Sequence, residues 1–266
     1  MDLPPYDKFL KLLKATMWLE GTAYGNPKIE KRFYIIACIV SIMVSSEAAF
    51  FFLNMSSENF IELAQSAPCF VAVIYYTTAD GFYVVLSSQI CANFCVISDM
   101  IENLDATNID TLNDIVKAHQ NILKLSDDLE DIFMVPNLFN MLTGALQICA
   151  LGLNILIGPW EEIPGCLLFL VSVLMQILMM SIFGENIIRD STKVGDAAYR
   201  CSWYNMDSKS RKTILYVMIR SHKAQKLTAY KFSVICYSSF SKIISSSWSY
   251  FTILQTLYKL SDTNKA

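Results

Sequence analysis

From Phe133 to Ile157, and again from Ile163 to Phe183, the chain runs without a single charged side chain. About 20 apolar residues carry a helix across the roughly 30 Å of bilayer hydrocarbon. Inside that layer every backbone N–H and C=O must find its partner within the segment. These two runs therefore read as membrane-spanning helices. Phe33 to Leu53, broken only by Glu47, is a third. Two weaker blocks follow the same logic: Ala67 to Ile97, which holds Asp80, and Phe232 to Leu257, which holds Lys242 and many serines. The expected fold is all-α, a polytopic helical membrane protein of about five transmembrane helices. The alternative is a soluble, buried helical bundle. It fits poorly with a chain in which 17% of residues are charged, against roughly 25% in soluble domains.

Lys and Arg orient the spans, because segments facing the cytoplasm collect them. With the amino terminus inside, the inner segments are Met1–Arg32, Ser98–Ile132 and Gly184–Lys231, and they hold nearly all of the 21 Lys and Arg residues. The outer segments Asn54–Ser66 and Gly158–Glu162 hold none. A cytoplasmic amino terminus and an extracellular carboxyl terminus are expected. The sequon Asn54-Met55-Ser56 falls on an outer loop, too near the membrane for glycosylation to be expected. Lys8, Lys11 and Lys14 interrupt the apolar residues of the first segment, so no cleavable signal is expected there. That stretch reads as an amphipathic helix on the inner leaflet or as a solvated helix.

Other chemistries find little support. A net charge of -3 and the absence of a basic, aromatic-interleaved patch give no reason to expect nucleic acid. The eight cysteines fall mostly within spans and read as small packing residues. Cys69 and Cys166, near outer span ends, leave a disulfide open as the lesser reading. His119 and His222 are the only histidines and lie far from any cysteine pair. No metal ligand set, cofactor loop or acid–base–nucleophile constellation is visible, so neither an enzyme, a cofactor nor a catalytic residue is expected.

Charges inside spans are costly and tend to mark cavities, pores or partners. Asp80 reads either as a polar group at a ligand or gating element, or as a residue approaching the inner surface on a helix that projects into the cytosol. Glu47 reads as snorkelling at the outer end. Lys242 reads as reaching the inner interface, with the final span starting close to it.

The inner segments show helical periodicity. Ile122, Leu125, Leu129, Ile132 and Phe133 line one face of a helix running into the third span. Likewise the stretch from Ser210 to Leu227 carries Ile214, Val217, Met218 and Leu227 among basic residues. The first should belong to a cytoplasmic helical platform; the second either joins it or lies on anionic lipid. The expected organisation is 1–32, a cytoplasmic amphipathic segment; 33–97, membrane helices with a junction expected near 67–80; 98–132, a cytoplasmic helix; 133–183, two membrane helices; 184–231, cytoplasmic anchor helices; and 232–260, a terminal pore-type helix. In that helix Ser249, Ile253, Thr256 and Leu257 share one side. Spacing alone leaves open whether its hydroxyls line water or join helices by hydrogen bonds.

Several motifs resemble the insect odorant receptor family. These are Gly184-Glu185-Asn186 leaving a span, Ala197-Ala198-Tyr199 followed by Trp203-Tyr204, the basic helix, and the terminal Ser249-Tyr250-Phe251. The resemblance extends from about Asp80 to Leu260, and Tyr6 to Ala72 looks like the family's amino terminus and first span. The family has seven spans and this chain supplies about five, which places the missing material near Ala67 to Asp80. The resemblance implies a ligand-gated, nonselective cation channel subunit in the plasma membrane of sensory neuron dendrites. It implies assembly into a heterotetramer with the odorant co-receptor, with a volatile odorant as ligand and membrane lipid as surroundings. Ser249, Ile253, Thr256 and Leu257 would form pore and gate, with Ile253 and Leu257 at the constriction. Tyr199, Trp203 and Tyr204 would anchor subunits to one another. Phe70, Tyr75, Tyr76, Phe169 and Ser172 are the candidate odorant-pocket residues. The alternatives are a truncated, non-conducting interaction form, a gustatory receptor-like channel, and a secondary transporter, which the lack of an inverted repeat disfavours.

Overall fold

The computed structural model describes residues 60–105 and 109–263, and the side chains of 78–105 and 109–257. Its elements are α1 (Phe60–Glu102), a 3-10 turn (Ile109–Thr111), α2 (Leu112–Ile157), α3 (Ile163–Arg200), a second 3-10 turn (Trp203–Asn205), α4 (Ser208–Ser221), β1 (Thr228–Ala229), β2 (Ser233–Val234) and α5 (Tyr237–Thr263). The amino-terminal segment and the expected span Phe33–Leu53 lie outside the described residues. Among the described residues three helices, within α1, α2 and α3, are long and apolar enough to cross a membrane.

Two of these helices are about twice as long as a bilayer is thick. At about 1.5 Å per residue, the 46 residues of α2 and the 38 of α3 span roughly 69 and 57 Å. The extra length projects from the end rich in Lys and Arg. The amphipathic stretch before Phe133 thus forms one continuous rod with the span after it, as its periodicity implies.

Side-chain bonds set the register of α1 on α3. Gln176 Nε2 donates to Asp80 Oδ2 at 2.5 Å, the Tyr83 hydroxyl donates to the Met180 carbonyl at 3.1 Å, and Arg200 holds Glu102 at 2.8 Å. The numbers rise together, so α1 and α3 run in parallel. A second parallel pair is α2 and α5: the Ser247 hydroxyl reaches the Ala145 carbonyl at 3.4 Å, and Phe251 lies over Gly152. Same-direction pairs are what alternating crossings of one membrane produce.

The core sits in the inner half of this bundle. One buried cluster joins Ile90, Phe94, Ile97 and Ile101 of α1 with Ile115, Ile122, Leu129 and Phe133 of α2 and with Ile187, Val194 and Ala198 of α3. Their spacing of three, four or seven residues is that of interlocking helical seams. Each buried Leu, Ile or Phe contributes about 1.5–3 kcal/mol where it leaves water. Farther out the helices loosen, and Phe139, Leu142 and Leu146 of α2 are exposed.

The basic segment differs from its sequence pattern. Helix α4 ends at Ser221, so Leu227 lies beyond it, fully buried in the lead to β1. Beyond the helix, the Gln225 N–H donates to Ser191 Oγ at 3.1 Å and its side-chain amide donates to the Leu123 carbonyl at 3.4 Å. These tertiary bonds outweigh a weak helical preference. Phe232 likewise belongs to a hairpin rather than to the last span: Thr228 pairs with Val234 and Ala229 with Ser233, antiparallel, before α5 starts at Tyr237. Helix α3 touches this hairpin at Gly184, where any Cβ would run into the Ile235 carbonyl.

His119 is buried at 3% exposure on the inner stretch of α2, and its Nε2 has no hydrogen-bond partner among the described residues. Burial, with the Arg220 guanidinium adding to it, pushes its pKa down to about 4. The imidazole is therefore neutral at pH 7. Below the unfolded value of about 6.5 the unfolded chain binds a proton that the folded one refuses, so stability falls with pH until about pH 4.

Two outcomes follow. Gly184→Ala should destabilise the purified protein by roughly 1–3 kcal/mol, the usual range for overpacking, read as a lower melting temperature in detergent. Lowering the pH from 7 to 5 should cost up to about 2 kcal/mol at the His119 site, and His119→Leu should flatten that slope in the same melting assay. A slope that persists in the variant would place the titration elsewhere.

Candidate functional site

Helix α5 has two unlike sides. Ser239 and Ser247 are buried, and Ile243, Phe251 and Gln255 are half-buried. Their spacing of four residues forms one stripe against the bundle. It docks closely, since Cys149 Sγ donates to the Ser247 carbonyl at 3.4 Å and Phe251 needs the space that Gly152 leaves. Every residue expected at the pore lies on the other side. Ser249 and Thr256 are exposed, Ile253 is 55% exposed and Leu257 57%. The docking stripe and the expected pore face are thus opposite faces of one helix.

The hydroxyls on the exposed side are oriented. Ser249 Oγ donates to the Ser245 carbonyl at 3.0 Å, Thr252 Oγ1 to the Ser249 carbonyl at 2.8 Å, and Thr256 Oγ1 to the Thr252 carbonyl at 2.9 Å. Back-bonding of this kind is a normal option for Ser and Thr in helices. Each proton is spent within the helix, so each oxygen turns only lone pairs outward. A row of such acceptors suits a cation or the hydrogens of water. Ser247 is the contrasting case: buried, it bonds between helices, so the last helix uses both arrangements that spacing left open.

The expected anchor residues come together at the end of α3, Tyr199 in its last turn and Trp203 and Tyr204 just beyond it. Trp203 Nε1 donates to the Tyr199 carbonyl at 3.2 Å, and the rings of Trp203 and Tyr204 meet edge to face at 6.1 Å. Tyr199 and Tyr204 are exposed and Trp203 is half-buried. Sequence reasoning missed their companions on α4. Ile214 and Val217 pack inward, yet Leu215, Tyr216 and Ile219 are also apolar and are exposed. A helix apolar on both sides was the available signal, since a monomer can bury only one. Asp207 caps α4, accepting from the Lys209 N–H at 3.0 Å; a hydrogen bond from Ser210 holds its carboxyl below the ordinary range.

Charge ties this platform together. Arg200 grips Glu102 with two parallel bonds of 3.0 and 2.8 Å, which lowers the carboxyl and raises the guanidinium. Asp190, fully buried, accepts from Arg189 Nε at 3.1 Å and Lys193 Nζ at 3.0 Å. Burial raises the Asp127 carboxyl, with Arg220 opposing that shift. Among the described residues no three His, Cys, Asp or Glu side chains are grouped to hold a metal ion.

The candidate pocket is only partly in view. The side chains of Phe70, Tyr75 and Tyr76 lie outside the described residues, as does Cys69; Cys166 is a free thiol. Phe169 is half-buried and Ser172 buried, both on the outer half of α3. Together with Gln176 they recur at helical spacing on one face, and Gln176 reaches Asp80. Asp80 is therefore not at the inner surface: it is level with Gln176, about 10 Å inside the end of the α3 uncharged run at 1.5 Å per residue.

Comparison with known proteins agrees with this architecture. The family model described as 7tm odorant receptor matches residues 34–248. Odorant receptor 67c of Drosophila melanogaster is 34% identical over 196 residues, covering 71% of this chain and 48% of that protein. Odorant receptor 85b of the same organism is 28% identical over 195 residues, covering 69% and 50%. The chain thus spans about half the length of the curated relatives it matches. Among solved structures, the insect olfactory receptor OR5 from Machilis hrabei in complex with eugenol superimposes with a TM-score of 0.72 at 13% identity, over 95% of this chain and 70% of that one. At that identity the likeness speaks for the fold, and the family model and the sequence relatives speak for descent: this chain is a multi-pass helical membrane protein of the seven-transmembrane odorant receptor family.

Proposed function

We propose that the chain is a subunit of a ligand-gated, nonselective cation channel that responds to a volatile, apolar ligand. It would act at the plasma membrane of olfactory neuron dendrites, in a heterotetramer with the odorant co-receptor. One observation carries this reading: the exposed side of α5 combines outward oxygen lone pairs at Ser249, Thr252 and Thr256 with bare aliphatic side chains at Ile253 and Leu257. Four copies around an axis would make a water-lined path with a hydrophobic constriction, and constrictions of that kind gate by dewetting. Exposed Tyr199, Tyr204, Leu215 and Tyr216 supply a face for the neighbouring subunit. Phe169, with Ser172 and the Asp80–Gln176 pair as its few polar groups, would form one wall of the ligand site; Phe70, Tyr75 and Tyr76 would add the aromatic surface that a small-molecule pocket needs.

A second reading has its own support. The exposed Tyr199, Tyr204, Leu215 and Tyr216 of the inner platform would equally serve a truncated interaction form that binds the co-receptor through its inner helices without conducting.

Co-expression with the co-receptor in oocytes separates the two. The channel reading expects odorant-evoked cation current beyond that of the co-receptor alone; the short-form reading expects co-purification and no added current. Within the channel reading, cysteines at Ser249, Ile253 and Thr256 should react with aqueous thiol reagents, while cysteines at Ser247 and Phe251 should not. Ile253→Ala should raise the closed-state leak several-fold. Unreactive thiols on the exposed side, or an unchanged leak, would remove α5 from the conduit.

A further inference from the structure

The tip of the β1–β2 hairpin is built in an unusual way. The Phe232 N–H closes the turn on the Ala229 carbonyl at 3.0 Å, leaving Tyr230 and Lys231 as the central pair at φ 50 and 63. Turns of this shape favour Asn-Gly, because other side chains are strained at positive φ. Here both central positions carry large side chains, and strained positions are a pointer to what the side chains touch. Phe232 is 81% exposed and Tyr230 51%, and their rings stack at 6.1 Å.

Two neighbours fix the depth of this tip. The Tyr230 N–H donates to the Met134 carbonyl at 3.1 Å, and Thr228 Oγ1 donates to Glu130 at 2.7 Å. Between those two partners α2 passes from charged residues to the uncharged run that starts at Phe133. On α3 the ruler reads the same. Ile235 abuts Gly184, and the Tyr237 N–H reaches Glu185 at 3.3 Å, just where the uncharged run to Phe183 ends. The hairpin is therefore level with the inner edge of the hydrocarbon on both helices. At this depth and just outward of it α2 exposes apolar side chains, Val135 and Phe139, as a helix entering the membrane does.

We infer that the hairpin tip is an interfacial lipid anchor, inserting Tyr230 and Phe232 at the headgroup–acyl boundary of the inner leaflet while Lys231 meets an anionic phospholipid headgroup. Aromatic rings favour that boundary, and the inner leaflet attracts a basic residue. The anchor joins α4 to α5, so it would hold the foot of α5 at a fixed depth. The inference does not depend on α5 lining a conduit.

The test uses the full chain reconstituted into vesicles of phosphatidylcholine and phosphatidylserine. The signal of Phe232→Trp is read as its difference from the parent protein, with circular dichroism confirming retained helix. Lipids brominated near the top of the acyl chain should quench the added fluorescence more than deeply brominated ones, and aqueous iodide should quench it little. Lys231→Asn, which keeps a residue tolerant of positive φ, should reduce that quenching in the mixed vesicles and leave it unchanged in pure phosphatidylcholine. Quenching by iodide instead of lipid would mean a solvent-facing tip, and protection from both would mean coverage by protein; either result overturns the anchor. Equal quenching with and without the Lys231 charge in mixed vesicles would overturn its headgroup contact.

Discussion

In hydrocarbon a backbone has no hydrogen-bond partner other than itself, and that constraint governs this chain. It makes each crossing a helix. It does not end the helix where the lipid ends, so α2 and α3 continue as rods far beyond the thickness of a bilayer. Below the membrane those rods meet water, and the hydrophobic effect acts on their apolar stripes in full. The tightest packing accordingly lies on the inner side, where Phe94, Leu129, Ile187 and Val194 are fully buried. Within the bilayer, van der Waals fit and a few polar contacts such as Gln176 to Asp80 must serve instead.

Helix α5 answers two demands that pull its composition apart. One side must dock on α2, and it does so through small or flat contacts: Ser247 at Ala145, Phe251 over Gly152. The other side stays bare in a single chain. Its hydroxyls bond back onto their own helix, so they expose acceptors without leaving donors unsatisfied. A residue with a longer polar side chain could not satisfy itself so locally and would demand a partner from outside. Short hydroxyls thus let a helix be polar on one face without leaving a donor unpaired there.

What could be read from the sequence follows from how local each signal is. The spans within α1, α2 and α3, the run of one helix through Phe133, and the common side of Ser249, Ile253 and Thr256 all rest on spacing along one element, and spacing survives into three dimensions. The end of α4 does not work that way. Nothing in residues 222–227 forbids a further helical turn, but Gln225 finds bonds on α2 and α3 that no local pattern encodes. The exposed Leu215 and Ile219 were legible in principle, as apolar residues opposite an already apolar face. Asp80 was not, because its depth depends on Gln176, 96 positions away.

The gradient in packing also bears on where a ligand could act. Around the inner ends, α5 is fixed at its foot: Ile235 is wedged at Gly184 and Tyr237 is bonded to Glu185. Toward the outer ends buried side chains become sparse, and from Ile163 to Val171 helix α3 buries none. Regions with few buried contacts open at lower free energy than a packed core, and sites that respond to ligands are drawn from that end of the range. Phe169 and Ser172 lie there, at the border between the loose outer bundle and the firm inner one. A small apolar molecule settling among them would add contacts where the described residues bury few side chains. Its binding would therefore change the relative order of the outer helices more than that of the platform on which they stand.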